Sequence, residues 1–238
     1  PQADRRSLIR RLFLDITGLP PSPAAVDAFI TNDKPDAYEQ LVDDLLKSPH
    51  YGERWGRHWL DVARYSDGLG GFGDGQDLPG AWRYRDWVVK SLNKDMPYDE
   101  CVRRQMAGDC LEEESKDPVA TGFFAVGPTY KGDGGDAEAT NAAKAETLSD
   151  RVDTFSRAFL GLTAACARCH DHKFDPITAK DYYAIAGIFN NTRNVDKAVA
   201  PKVQVEAYNA AQAEIRKKQD AIKYWSEDLR EDAMRALM

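Results

Sequence analysis

Apolar side chains recur along this chain at spacings of three and four, the period of an amphipathic helix, and period-two alternation is rare. Leu8, Leu12 and Ile16 fall every four residues, and Gly18 follows where a helix usually ends in a left-handed cap, so a first helix is predicted over about 5 to 17. Ser22 before Pro23 is an N-cap and first-turn signature for a second helix carrying Ala25, Val26, Phe29 and Ile30. A third is expected from Asp36 to Lys47, with Tyr38, Leu41, Leu45 and Leu46 on one side. From Tyr51 to Tyr65 the period continues, with Trp55, Trp59 and Val62 as one stripe and His58 beside it. Further helices are expected over Trp82 to Leu92 and Tyr98 to Met106, while Thr121 to Val126 is apolar but too short to assign. Gly/Asp-rich loops are expected over Gly68 to Gly80 and Lys131 to Asp136.

The clearest stripe is Ala145, Leu148, Val152, Phe155, Phe159 and Leu162, a helix leading toward the cysteine-rich segment. Beyond that segment, Thr178 and Asp181 form a capping-box start for a helix with Tyr182, Ile185, Ile188 and Phe189 on its apolar side. From Pro201 the character changes: Tyr208, Ile215, Ile222 and Leu229 fall seven apart in a charged background, the stripe of a helix laid against one partner helix. Such a tail is either a terminal helix docked on its own domain or the start of a truncated helical hairpin. The expected fold class is therefore all-α, an irregular multi-helix domain over 1–200 with a helical extension over 201–238.

At 238 residues the chain is long enough to bury a proper core. Its net charge of −7, with no block of Lys and Arg, argues against nucleic acid as a partner. No apolar run approaches the length of a membrane span. The chain opens at Pro1 with helical pattern already present at Arg5, so no signal peptide is read and the chain is taken as an excised fragment.

Candidate chemistry centres on Cys166-Ala167-Arg168-Cys169-His170. Two thiols three residues apart can each add to a haem vinyl group, and the imidazole after the second then lies against the iron as proximal ligand. Haem c is therefore the expected cofactor, with Cys166 and Cys169 as thioether anchors and His170 on the metal. A second reading is zinc held by Cys166, Cys169, His170 and His172, although four ligands within seven residues crowd one tetrahedral ion. A redox dithiol and two ordinary buried cysteines are the other readings. Because attachment of haem to such a motif happens outside the bacterial cytoplasm, the parent protein is expected to be periplasmic or otherwise extracytoplasmic. Cys101 and Cys110, close in sequence, fit either a local disulfide or two reduced core cysteines.

The words around the motif are longer than chemistry alone requires: Cys166 to Pro176 followed by Asp181-Tyr182-Tyr183, Arg10 to Pro21, Glu53 to Tyr65, Trp82 to Trp87, and Gln105 to Asp109. In order and content they resemble the second of the planctomycete-type cytochrome c domains, a family of uncharacterised function, over roughly residues 1 to 195. The resemblance implies an exported redox protein from a polysaccharide-degrading bacterium, with a redox partner that is a separate protein or a neighbouring domain of the same polypeptide. Many members carry a histidine near Thr121 to Tyr130, and this chain has none there.

The sixth iron ligand decides between an electron carrier, which fills both axial positions, and a catalyst, which leaves one open. Candidates are His58, His50, Met96 and Met106, and His58 is preferred because it lies in one of the words shared with the family. His172 and Asp171 are expected either to orient the proximal imidazole or a propionate, or to form a plain surface turn. Arg83 and Arg85 are candidate propionate partners, and Asp67, Asp74 and Asp77 a candidate calcium set. The expected function is haem-mediated electron transfer. Its alternatives are a haem-dependent oxidoreductase acting on a carbohydrate-related substrate and a zinc-binding, structural or sugar-binding module.

Overall fold

The computed structural model of the chain describes residues 3–68, 77–112, 117–130, 136–195, 198 and 200–237. Among them are nine α-helices and no strand: α1 (Arg5–Ile16), α2 (Pro23–Thr31), α3 (Ala37–Leu46), α4 (Pro49–Val62), α5 (Ala81–Asn93), α6 (Tyr98–Ala107), α7 (Ala137–Phe155), α8 (Ala179–Asn190) and α9 (Lys202–Leu237). The class is all-α. Two 3₁₀ turns, Ala120–Phe124 and Ala164–Arg168, and a π turn, Ser156–Leu160, complete the regular structure. The expected Gly/Asp loops lie largely outside the described residues, as does Asp74. Two compact units are formed, Pro1–Asn194 and Val195–Met238.

Helix starts follow from their caps. Side-chain oxygens of Asp4, Ser22, Ser48, Asp136 and Thr178 accept N–H groups one turn in, each worth about 1 kcal/mol. Thr178 and Asp181 close a full capping box. Gly18 turns the chain with φ +72° after α1, as its position predicted. At the end of α4 the left-handed position is instead Arg64, φ +55°, a conformation costing a non-glycine residue about 1 kcal/mol. It is held there because the guanidinium reaches Asp150 and, at 2.5 Å, Asp153 on α7.

Three apolar clusters form the first unit. Ile9, Phe29 and Ala37 bind α1 to α3 together. Tyr84, Val88, Phe123, Val126, Ala63 and Ala81 make the centre. Val152, Ala164, Ala167, Tyr182, Ala186 and Phe189 join α7, the second 3₁₀ turn and α8, and Phe124 packs against both of these last two clusters. Within the centre, fully buried Gln105 accepts from Trp59 Nε1 at 2.8 Å and from the Tyr84 hydroxyl at 2.6 Å. Burial pushes the Tyr84 hydroxyl's pKa upward.

The structure corrects the sequence pattern in three places. The inward face of α4 is Gly52 and Gly56, whereas Trp55 and Val62 are each 39% exposed and Trp59 alone of the expected stripe packs against the centre. A Cβ on Gly52 would lie 2.4 Å from the Val89 carbonyl oxygen, so α5 approaches as closely as it does because no side chain intervenes. The long stripe of α7 is broken: Leu148, Val152 and Phe155 face the third cluster, but Ala145 is exposed and the next turn is the π turn, ended by Gly161 at φ +65°. On α8, Ala186 is buried and Ile188 is exposed.

The second unit holds α9, a 36-residue helix whose Tyr208, Ile215, Ile222 and Leu229 are all exposed. Lys–Glu pairs four residues apart run along it. Among the described residues no helix is long and apolar enough to cross a membrane.

Candidate functional site

After Gly161 the chain reverses into the 3₁₀ turn Ala164–Arg168. Ala164 and Ala167 are buried against Val152, Tyr182 and Ala186, and only small side chains let the turn lie flat there. In a 3₁₀ turn residues three apart eclipse. Cys166 and Cys169, offset from the two alanines, are both exposed free thiols. The turn is fixed at several points. The Ala164 N–H donates to Ser156 Oγ at 3.3 Å, Arg168 pairs with Glu146 at 3.0 Å, and the Tyr183 hydroxyl donates to the Arg168 carbonyl at 3.0 Å.

His170 is exposed, and its Nδ1 lies 2.8 Å from the Asp171 carbonyl oxygen. A carbonyl can only accept, so Nδ1 carries a proton, and in the neutral ring the Nε2 lone pair is then the free one, the tautomer a metal-binding imidazole uses. His172 is the reverse. Its side chain is 7% exposed, and its Nδ1 faces the backbone N–H groups of Asp175 at 2.8 Å and Phe174 at 3.3 Å. Asp175 Oδ2 also lies 3.3 Å from that nitrogen, which would suit a protonated ring, but two N–H groups aimed at it require an acceptor. The His172 ring thus fastens the loop through Nδ1. Asp171 contributes on both sides: its carbonyl orients His170, and its carboxylate accepts the Ala179 N–H at the start of α8 at 2.8 Å.

The donor set therefore fits a c-type haem: two outward thiols one turn apart and an adjacent imidazole with Nε2 free. Phe174 and Tyr183, 83% and 59% exposed beside the motif, supply apolar surface. Sequence reasoning located the thiols and the imidazole. It could not see that a backbone carbonyl, not a side chain, fixes the tautomer.

The other predicted residues lie elsewhere. His58 is exposed on α4, its ring 5.3 Å from that of Trp55. His50 is tied to Glu53 at 2.7 Å, Met96 is half-buried and Met106 is exposed. No hydrogen bond, ion pair or ring contact among the described residues joins any of these four to Cys166, Cys169 or His170. The Arg83 guanidinium lies 4.8 Å over the Trp82 ring, and Arg85 bonds Asp86 at 2.9 Å. Cys101 and Cys110 are free thiols, and burial pushes the Cys101 pKa up. Asp67 accepts from the Tyr65 hydroxyl at 2.6 Å, and burial together with that carboxylate pushes the phenol up to about 12. Among the described residues no three His, Cys, Asp or Glu side chains converge as a metal-binding group.

The family model described as PSCyt2, protein of unknown function (DUF1549), matches residues 1–194. No curated protein and no solved structure matches the chain.

Proposed function

The chain belongs to the PSCyt2 family, and we propose that its first unit is a c-type cytochrome domain, holding haem through Cys166, Cys169 and His170 and passing electrons within a larger exported protein. The observation that carries this reading is the His170 tautomer: Nδ1–H spent on the Asp171 carbonyl, Nε2 free, beside two exposed thiols. A bound haem supplies one-electron redox chemistry. The residues of this chain do the holding. Cys166 and Cys169 would hold the haem covalently, His170 would bind its iron through Nε2, and the Asp171 carbonyl orients that ring. Of the remaining histidines, His50 is committed to Glu53 and His172 to its own loop. His58 has no hydrogen-bond partner among the described residues and is the residue we assign to hold the iron together with His170, should haem bind. The redox partner on this reading is a neighbouring domain or a separate carrier, and the compartment is extracytoplasmic, where such thioethers are made.

The test is an ultraviolet-visible spectrum with a pyridine haemochrome assay on the chain produced with a periplasmic haem-attachment system. Covalent haem with a low-spin spectrum is expected, turning high-spin in His58→Ala. A folded helical protein without covalent haem would overturn the reading. A high-spin wild type would instead favour an enzyme with an open iron position, and an unchanged spectrum in the variant would remove His58 as a ligand.

A further inference from the structure

We propose that a second site, a cleft of about 410 Å³ between the 129–130 segment, α7 and the end of α8, binds a small molecule carrying an oxyanion on an apolar or aromatic body. Thr129, Lys144, Arg151 and Asn190 line it, with Leu148 and Phe189 as an apolar wall. Among the described residues no carboxylate lines it, in a chain whose net charge is −7. The half-buried Arg151 guanidinium makes no hydrogen bond or ion pair among the described residues. A desolvated cation without a partner is costly, and an anionic ligand removes that cost by completing charge-assisted hydrogen bonds. Burial lowers the Arg151 pKa, and no carboxylate among the described residues opposes it.

The threonine hydroxyls of the cleft other than that of Thr129 are already spent. Thr140 donates to the Asp136 carbonyl, Thr147 to that of Ala143 and Thr192 to that of Phe189. Among the described residues, free donor capacity thus lies with Lys144, Arg151, Asn190, Thr129 and the Tyr130 hydroxyl, a set suited to an acceptor-only group. Leu148 and Phe189 belong to or pack on the third cluster, so the wall is rigid and favours an apolar body over a bare ion. The site is separate from the motif. It lies at the far end of α8, roughly 16 Å along the helix from Ala179, and the inference does not depend on haem.

The experiment is a ¹H–¹⁵N NMR titration of the full chain with benzoate, phenyl phosphate and, as an uncharged control, benzyl alcohol. Saturable shifts of the Asn190 side-chain amide and the Arg151 Nε–H are expected with at least one anion and not with the alcohol. The two anions distinguish a carboxylate from a phosphate ligand. Arg151→Met, which keeps the apolar stem, should weaken binding about tenfold or more, and Lys144→Gln, at an exposed position, by less. No saturable shift with either anion would overturn the proposal. So would equal binding of benzyl alcohol, or unchanged affinity in Lys144→Gln and a folded Arg151→Met.

Discussion

Around Tyr84 and around Cys166 the chain places similar polar groups in opposite circumstances. At the centre, the Gln105 side-chain oxygen takes the Trp59 N–H and the Tyr84 hydroxyl, its amide reaches the Cys101 carbonyl, and all three side chains serve the packing around them. At the motif turn the backbone is held as firmly, by Ser156, Tyr183 and the Arg168–Glu146 pair, yet Cys166 Sγ, Cys169 Sγ and His170 Nε2 face outward. Rigidity is common to both regions. What separates scaffold from candidate chemistry is whether donor and acceptor capacity is used up within the fold. His170 and His172 repeat the contrast two residues apart.

Changes at three residues would break or sharpen this contrast. The largest effect is expected from Gln105→Leu, which takes the acceptor from the buried Tyr84 hydroxyl and leaves the Trp59 N–H only the Tyr84 oxygen at 3.1 Å, and should cost about 2 to 3 kcal/mol in urea denaturation. A loss under about 1 kcal/mol would mean water replaces the glutamine and the centre is not the closed network described. Next, His172→Ala should cost about 1 to 3 kcal/mol by releasing the Phe174 and Asp175 N–H groups. His172→Asn, whose amide oxygen can accept in place of Nδ1, should recover part of that. His170→Ala at its exposed position should change stability by no more than about 0.5 kcal/mol. Equal losses at the two histidines would erase the distinction between a fastening ring and a free one.

The smallest effect concerns pH. Asp181 has its pKa lowered, first because its carboxylate accepts from the Thr178 hydroxyl, then from the Thr178 N–H. The folded state therefore binds this proton less readily than the unfolded chain, so the contribution is present above the ordinary 3.8 and is lost as pH falls through the lowered value. Amide exchange at Thr178, taken relative to its intrinsic rate at each pH, should speed up on acidification below 3.8 in the wild type. In Asp181→Asn it should be faster already at neutral pH, and a flat wild-type profile would show that the box is not formed in solution.

Local punctuation was legible in the sequence. Ser22 before Pro23, Gly18 after Ile16, and Thr178 with Asp181 each act through short-range hydrogen bonds, and each stands where its pattern predicted. The spacing of Cys166, Cys169 and His170 was legible as a local pattern of the same kind. Tertiary choices were not. Hydropathy rewards Trp55 and Val62 and is blind to Gly52 and Gly56, although α5 docks on the glycine face because nothing projects from it. The tautomer of His170 depends on a carbonyl direction, and the Arg151 cleft gathers residues from three separate segments. Neither is written in any local pattern.

The π turn at Ser156–Leu160 has a consequence for chain length. Phe155 before it packs beside Phe189, while Phe159 within it meets Trp59 and Phe123, so one short stretch ties the third cluster to the centre. A π turn holds an additional residue relative to a regular helical turn. Deleting one residue here would rotate everything that follows by about 100°, lifting Ala164 and Ala167 off their seat and turning the two thiols with them. Substitutions in this stretch can be absorbed one side chain at a time, but insertions and deletions cannot, and the same register that joins the two clusters also decides which way the cysteines look.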